Sequence, residues 1–74
     1  MRAPRGFVVV ATDHFGPKRW RKTNRRGDYV ITWERKAHGA LNLPDTTGYR
    51  LYKNGREVSA IEPTPEAAWL RRDE

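Results

Sequence analysis

The 74-residue sequence contains no cysteine, so neither a disulfide frame nor a thiolate zinc site holds it together. The usual staples of small secreted domains are missing, and the expected setting is reducing and intracellular, with the cytoplasm as default. Long hydrophobic runs are missing too. The run FVVVA at residues 7–11 gives way to Thr12, Asp13 and His14, short of the ~7–15 apolar residues of a secretory signal core. Nothing approaches the ~20 apolar residues of a membrane span, so no membrane partner is expected. The lone serine, Ser59, lies in a strand-like segment, and no glycine-rich loop precedes a helix. Nucleophilic catalysis and phosphate-loop chemistry therefore lack their parts.

Acids are scarce over most of the chain. Residues 1–56 hold 13 Lys or Arg against 4 acids, a net +9, whereas residues 57–74 hold 2 Arg against 5 acids, a net −3. A chain this short forms one domain and buries only about 60% of its unfolded surface. The expected organisation is a single domain over 1–74, with residues 1–6 as a flexible basic arm and 36–48 as a long loop.

Local patterns place the elements. FVVVAT, residues 7–12, combines β-branched residues with an aromatic and reads as a strand buried on at least one face. Gly16-Pro17 breaks it. The basic stretch KRWRKTNRRG, residues 18–27, then reads as a loop with a short extended piece around Trp20. In DYVITWER, residues 28–35, Tyr29, Ile31 and Trp33 alternate with Val30, Thr32 and Glu34, the period of a strand. Asn54-Gly55 suits a type I′ turn between alternating flanks. The implied register sets Lys53 opposite Arg56, Tyr52 opposite Glu57, Leu51 opposite Val58, Arg50 opposite Ser59 and Tyr49 opposite Ala60. Thr64 as N-cap, Pro65 at the first helical position and Glu66 beside the positive end of the dipole start a short helix. That helix must dock through Trp69 or Leu70, being too short to stand alone. The expected fold is α+β: a small three- to four-stranded antiparallel sheet with a short C-terminal helix packed on one face. The order of hairpin and TPEAAWL helix, residues 49–70, resembles the layout of small sheet-type DNA readers such as the plant AP2 domain and the arm-binding domains of tyrosine recombinases. In both, a three-stranded sheet rests on a helix.

Cations interleaved with flat rings suit a surface that tracks phosphates, since cations displace condensed counterions and rings stack on bases. Lys18, Arg19, Trp20, Arg21, Lys22, Arg25 and Arg26 form the first candidate group. If the segment is extended, Arg19 and Arg21 share one face while Lys18, Trp20 and Lys22 share the other. Against this stands a solvated loop with Trp20 turned into the core. Arg50, Tyr52, Lys53 and Arg56 form the second group: Lys53 and Arg56 repel across the ladder unless an anion or water intervenes, and Arg50 and Tyr52, beside Ser59, offer a cation next to a ring. Glu34-Arg35-Lys36 has the E-x-K spacing of some nucleases, but the chain lacks room for their larger sheet. His14 and His38 make a poor zinc set. No catalytic residue, metal or cofactor is expected. The expected function is that of a non-enzymatic nucleic-acid-binding module, for double-stranded DNA before RNA. The alternative is a small protein-binding inhibitor or adaptor of the kind phages and mobile elements encode, docking on an acidic host surface.

Overall fold

A computed structural model describes residues 3–39 and 43–72. Five antiparallel strands run in sequence order as a meander, followed by one helix. They are β1 (Val8–Asp13), β2 (Gly16–Asn24), β3 (Gly27–Lys36), β4 (Thr46–Lys53) and β5 (Arg56–Glu57), with α1 at Pro65–Trp69. The α+β class is as expected. The strand count rises to five because the basic stretch, expected as a loop with a short extended piece around Trp20, is mostly β2.

β2 holds as a strand because its side chains sort by face. Trp20 lies opposite Ile31, while Arg19 and Arg21 lie opposite Thr32 and Val30. Trp20 is only 3% exposed. Its neighbours on that face are lysines whose stems cover apolar surface while their ammonium groups stay wet. The Nζ of Lys18 lies 4.3 Å from the Trp33 ring centre and that of Lys22 lies 5.1 Å from the Trp69 ring centre, positions in which ring quadrupole and charge attract.

The core sits between this face and α1. Trp20, Tyr29, Ile31, Leu51 and Ala68 are buried, with Phe7, Tyr49, Val58 and Trp69 packed partly buried against them. Trp69 docks the helix, meeting Tyr29 and Phe7 edge-on at 4.9 and 5.2 Å, whereas Leu70 is left exposed. The cap is as expected: Thr64 Oγ1 accepts from the Ala67 N–H at 3.0 Å and Pro65 opens the helix.

The hairpin has Asn54 and Gly55 at φ 53° and 82°, the positive values a type I′ turn needs. Lys53 pairs with Arg56 and Tyr52 with Glu57. Past that point the expected register fails. The Leu51 carbonyl accepts from both Val58 N–H, at 2.8 Å, and Ser59 N–H, at 3.4 Å, so two residues oppose one and the strand bulges. Ser59 turns inward, 5% exposed, and its Oγ accepts from the Leu51 N–H at 2.9 Å. Ala60 is exposed instead of buried, and Tyr49 pairs with Glu62.

Two further expectations change. β1 was expected to be buried on one face, but all six of its residues are exposed. α1 has five residues, about 7.5 Å of helix at 1.5 Å per residue, and packs on β3 and β4, leaving the edge uncovered. The loop expected at 36–48 shrinks to 37–45, because Lys36 pairs with Thr46 and Glu34 with Gly48; residues 40–42 lie outside the described residues. Of the expected basic arm, residues 1–2 lie outside them. Ala3 packs against the core, and Lys22 Nζ donates to the Arg5 carbonyl at 3.3 Å. Among the described residues no helix is long and apolar enough to cross a membrane.

Candidate nucleic-acid interface

The meander brings the two basic groups to one end of the sheet. The β2–β3 turn and the β4–β5 turn lie side by side because Asn54 bridges them. Its N–H donates to the Asp28 carbonyl at 2.8 Å and its Oδ1 accepts from the Asp28 N–H at 2.9 Å. The first turn is fixed by Asn24, whose Oδ1 accepts from the Arg26 N–H at 2.8 Å, the Asx geometry that suits a tight reversal. Arg25, Arg26 and Arg56 lie at these tips and are exposed. Lys53 lies opposite Tyr29 in the ladder with its Nζ 5.5 Å from that ring's centre. Lys22 and, through its carbonyl, Arg5 complete the same end. Among the described residues no carboxylate pairs with Arg5, Lys22, Arg25, Lys53 or Arg56. Arg5 is the member absent from the nominated binding residues; the sequence offered it only as part of the basic arm at 1–6.

The sheet face away from α1 has a different electrostatic character. Val30 and Thr32 floor a groove of about 520 Å³, walled by Arg19 and Arg21 on one side and by Glu34 and Tyr52 on the other. Its cations are largely matched internally. Arg21 forks onto Asp28, Nε to Oδ1 at 2.7 Å and Nη2 to Oδ2 at 2.9 Å. That fork holds the Asp28 carboxyl below the usual range, with a further hydrogen bond from Thr23, and raises the Arg21 guanidinium. Arg50 Nη1 lies 3.1 Å from Glu34 and 3.4 Å from Glu57. Burial works against its charge, but Tyr52 and these two acids outweigh it and its pKa is raised. The Tyr52 hydroxyl donates to Glu34. On this face Arg19 is exposed with no carboxylate partner among the described residues.

The nominated residues thus divide. Lys22, Arg25, Arg26, Lys53 and Arg56 come together at the basic end. Arg19, Arg21, Arg50 and Tyr52 lie on the open face, mostly committed to acids, and Ser59, expected beside them, faces inward. Lys18 stands at the opposite end of β2, 4.0 Å from Asp13. Trp20 is in the core, so neither face of its ring is available to a base. Glu34, the acid of the E-x-K spacing, is occupied by Arg50 and Tyr52. His38 Nε2 is 2.6 Å from Thr46 Oγ1 and His14 packs on Phe15. No group of three or more His, Cys, Asp or Glu gathers among the described residues.

Burial and, after it, the hydrogen bond to Glu34 push the Tyr52 phenol above its usual value. The folded state therefore favours the protonated phenol. Its contribution to stability is complete below pH about 10 and is lost as pH rises through the folded-state pKa. Glu34→Gln should bring the Tyr52 titration part of the way down, leaving the share due to burial. Carbon NMR of the tyrosine ring, which separates Tyr52 from Tyr29 and Tyr49, measures this. A midpoint unmoved by the substitution would remove Glu34 as a cause.

No family model, curated protein or solved structure matches the chain.

Proposed function

We propose that the protein binds nucleic acid without catalysis, gripping the phosphate backbone of duplex DNA with its basic end. The observation that carries this reading is the gathering of Arg5, Lys22, Arg25, Lys53 and Arg56 at one end of the sheet with no carboxylate partner among the described residues. Cations left unneutralised and exposed are what counterion release requires. Acids elsewhere on the sheet sit against their own arginines, so the positive field is concentrated at the end rather than spread over the open face.

The disposition of the rings favours duplex over single strand. Single-strand binders stack bases on accessible aromatic faces. Here Trp20 is buried, Lys18 lies over Trp33, and Trp69 is flanked by Phe7, Tyr29, Lys22 and Arg72. Phe15, the most exposed ring at 78%, lies in the β1–β2 turn, at the opposite end of the sheet from the basic turns. A grip on phosphates without a stacking platform gives affinity with little sequence preference.

The test is a salt titration, between about 50 and 200 mM, of binding to duplex DNA, the same single strand and duplex RNA. Duplex DNA should bind tightest. Replacing Arg5, Arg25, Lys53 and Arg56 together by Gln should reduce the salt slope by roughly one unit for each phosphate no longer neutralised and weaken all DNA sequences alike. The double change Arg21→Gln, Asp28→Asn removes a matched pair at constant net charge and should leave the slope unchanged. If the quadruple variant keeps both affinity and slope, the basic end is not a phosphate clamp. If wild type ignores nucleic acid, the reading is wrong.

A further inference from the structure

The two edges of the sheet are defended unequally. β5 is two residues long and both, Arg56 and Glu57, are charged, the usual protection against edge-to-edge pairing. β1 is six residues long, and residues 8–12 read VVVAT with no charge, proline or lysine. Val8, Val9 and Val10 are 62%, 46% and 49% exposed. The valines stand on both faces of the strand: Val8 lies opposite Arg21 of the open face and Val9 opposite Trp20 of the covered one. Its protection is confined to two register shifts, between Val9 and Ala11 and between Ala11 and Thr12. Burying both faces and the free backbone groups takes another strand rather than a helix or a groove.

We propose that the occupant is β1 of a second copy, paired antiparallel about a two-fold axis through Val9, so that two sheets become one. Three features select a second copy in this orientation. In this register Val9 opposes Val9 and Val8 opposes Val10, so apolar side chains meet apolar side chains on each face. Asp13, the only charged residue of β1 and still 43% exposed, stands at the strand's end, so the antiparallel two-fold keeps the acids of the two copies apart where a parallel in-register pairing would oppose them. The antiparallel arrangement also sends the two basic ends to opposite ends of the joined sheet, whereas a parallel one would set them side by side. The pairing requires no nucleic acid. An edge of six residues buries less than the roughly 1,200 Å² of a standard interface, so the dimer is weak, with a dissociation constant on the order of 0.1 mM.

Sedimentation equilibrium of the full chain across that concentration range should fit a monomer–dimer equilibrium. Val9→Lys, which places a charge on the axis, should weaken it at least tenfold. Because the chain has no cysteine, Val9→Cys adds a sole thiol. Opposed residues in an antiparallel pair have Cα atoms about 4.5–5.5 Å apart, within disulfide reach. Mild oxidation should therefore link Val9→Cys into a covalent dimer, and unfolding in denaturant should abolish the linkage. Thr12→Cys lies three residues from the axis, leaving the two thiols about 20 Å apart at 3.3 Å per residue, and should not link. Val9 is exposed, so both of its variants should keep the wild-type near-ultraviolet circular dichroism. A wild type that is monomeric at every concentration, or linkage equal at the two positions, overturns the proposal. Linkage only at Thr12 overturns this register, and with it the two-fold through Val9.

Discussion

Trp20→Ala is expected to unfold most of the molecules at moderate temperature. Truncating a buried tryptophan costs about 3–5 kcal/mol, and a domain of 74 residues has about 4–11 kcal/mol in reserve at 0.05–0.15 kcal/mol per residue, the lower end being expected of so small a core. Trp20 is 3% exposed in a buried set otherwise made of Tyr29, Ile31, Leu51 and Ala68, and it sits opposite Ile31 with its ring 5.6 Å from that of Tyr49. Its loss would open a void between β2 and the rest of the core. β2 has no other buried residue; the lysines on its covered face pack only their stems. Beyond its ladders to β1 and β3, the strand that carries four of the nine nominated cations is thus tied to the core by one buried side chain. Chemical denaturation would show a midpoint shifted to very low denaturant, with the salt-dependent binding abolished alongside. A variant that kept wild-type stability but no longer bound would make Trp20 a stacking ring and would contradict its burial.

The same strand marks where the sequence was hard to read. In KRWRKTN a single aromatic among cations gives no period-two signal to an apolar count, although the alternation is present once lysine stems are allowed as cover for rings. DYVITWER was legible because three large residues repeat on one face. The Asn54-Gly55 turn was legible because positive φ at two successive positions restricts the residue types that fit. What could not be read was the bulge at Val58–Ser59. It depends on the Ser59 hydroxyl accepting from the Leu51 N–H, a long-range hydrogen bond that no local pattern encodes. The uncovered β1 depends likewise on how little sheet a five-residue helix covers. For the candidate interface, the cations were legible but not their partners. Arg21 and Asp28 are seven apart, and only the Asn24–Gly27 reversal brings them into a fork. Arg50 meets Glu34 and Glu57 only because β4 lies between β3 and β5. Charge density therefore pointed to the central cations of the open face as readily as to those at the tips, and the sheet separates the two.

Gly48→Ala is the second substitution with a large expected effect, and its cause lies in that bulge. Because the chain slips at Ser59, Glu62 rather than Ala60 comes to lie against β4. It exchanges two hydrogen bonds with Tyr49, Tyr49 N–H to the Glu62 carbonyl at 2.8 Å and Glu62 N–H to the Tyr49 carbonyl at 2.7 Å. The approach is so close that a Cβ on Gly48 would overlap the Glu62 carbonyl oxygen and lie 2.7 Å from Ile61 Cγ2. The isoleucine methyl can turn aside; the carbonyl cannot move without giving up its bond from Tyr49. Overpacking of this kind costs about 1–3 kcal/mol, and losing the pair of backbone bonds adds about 1 kcal/mol for each. The expected destabilisation is thus about 3 kcal/mol or more. It should be directional, because the helix cap at Thr64 follows Glu62 by two residues: displacing Glu62 should loosen α1 and expose Trp69 before β2 and β3 separate. Hydrogen exchange at the Tyr49 and Ala67 amides, with Trp20 and Ile31 amides as reference, would report it. Uniform protection matching wild type would mean that the Glu62 crossing yields without cost, and the role assigned to Gly48 would fail.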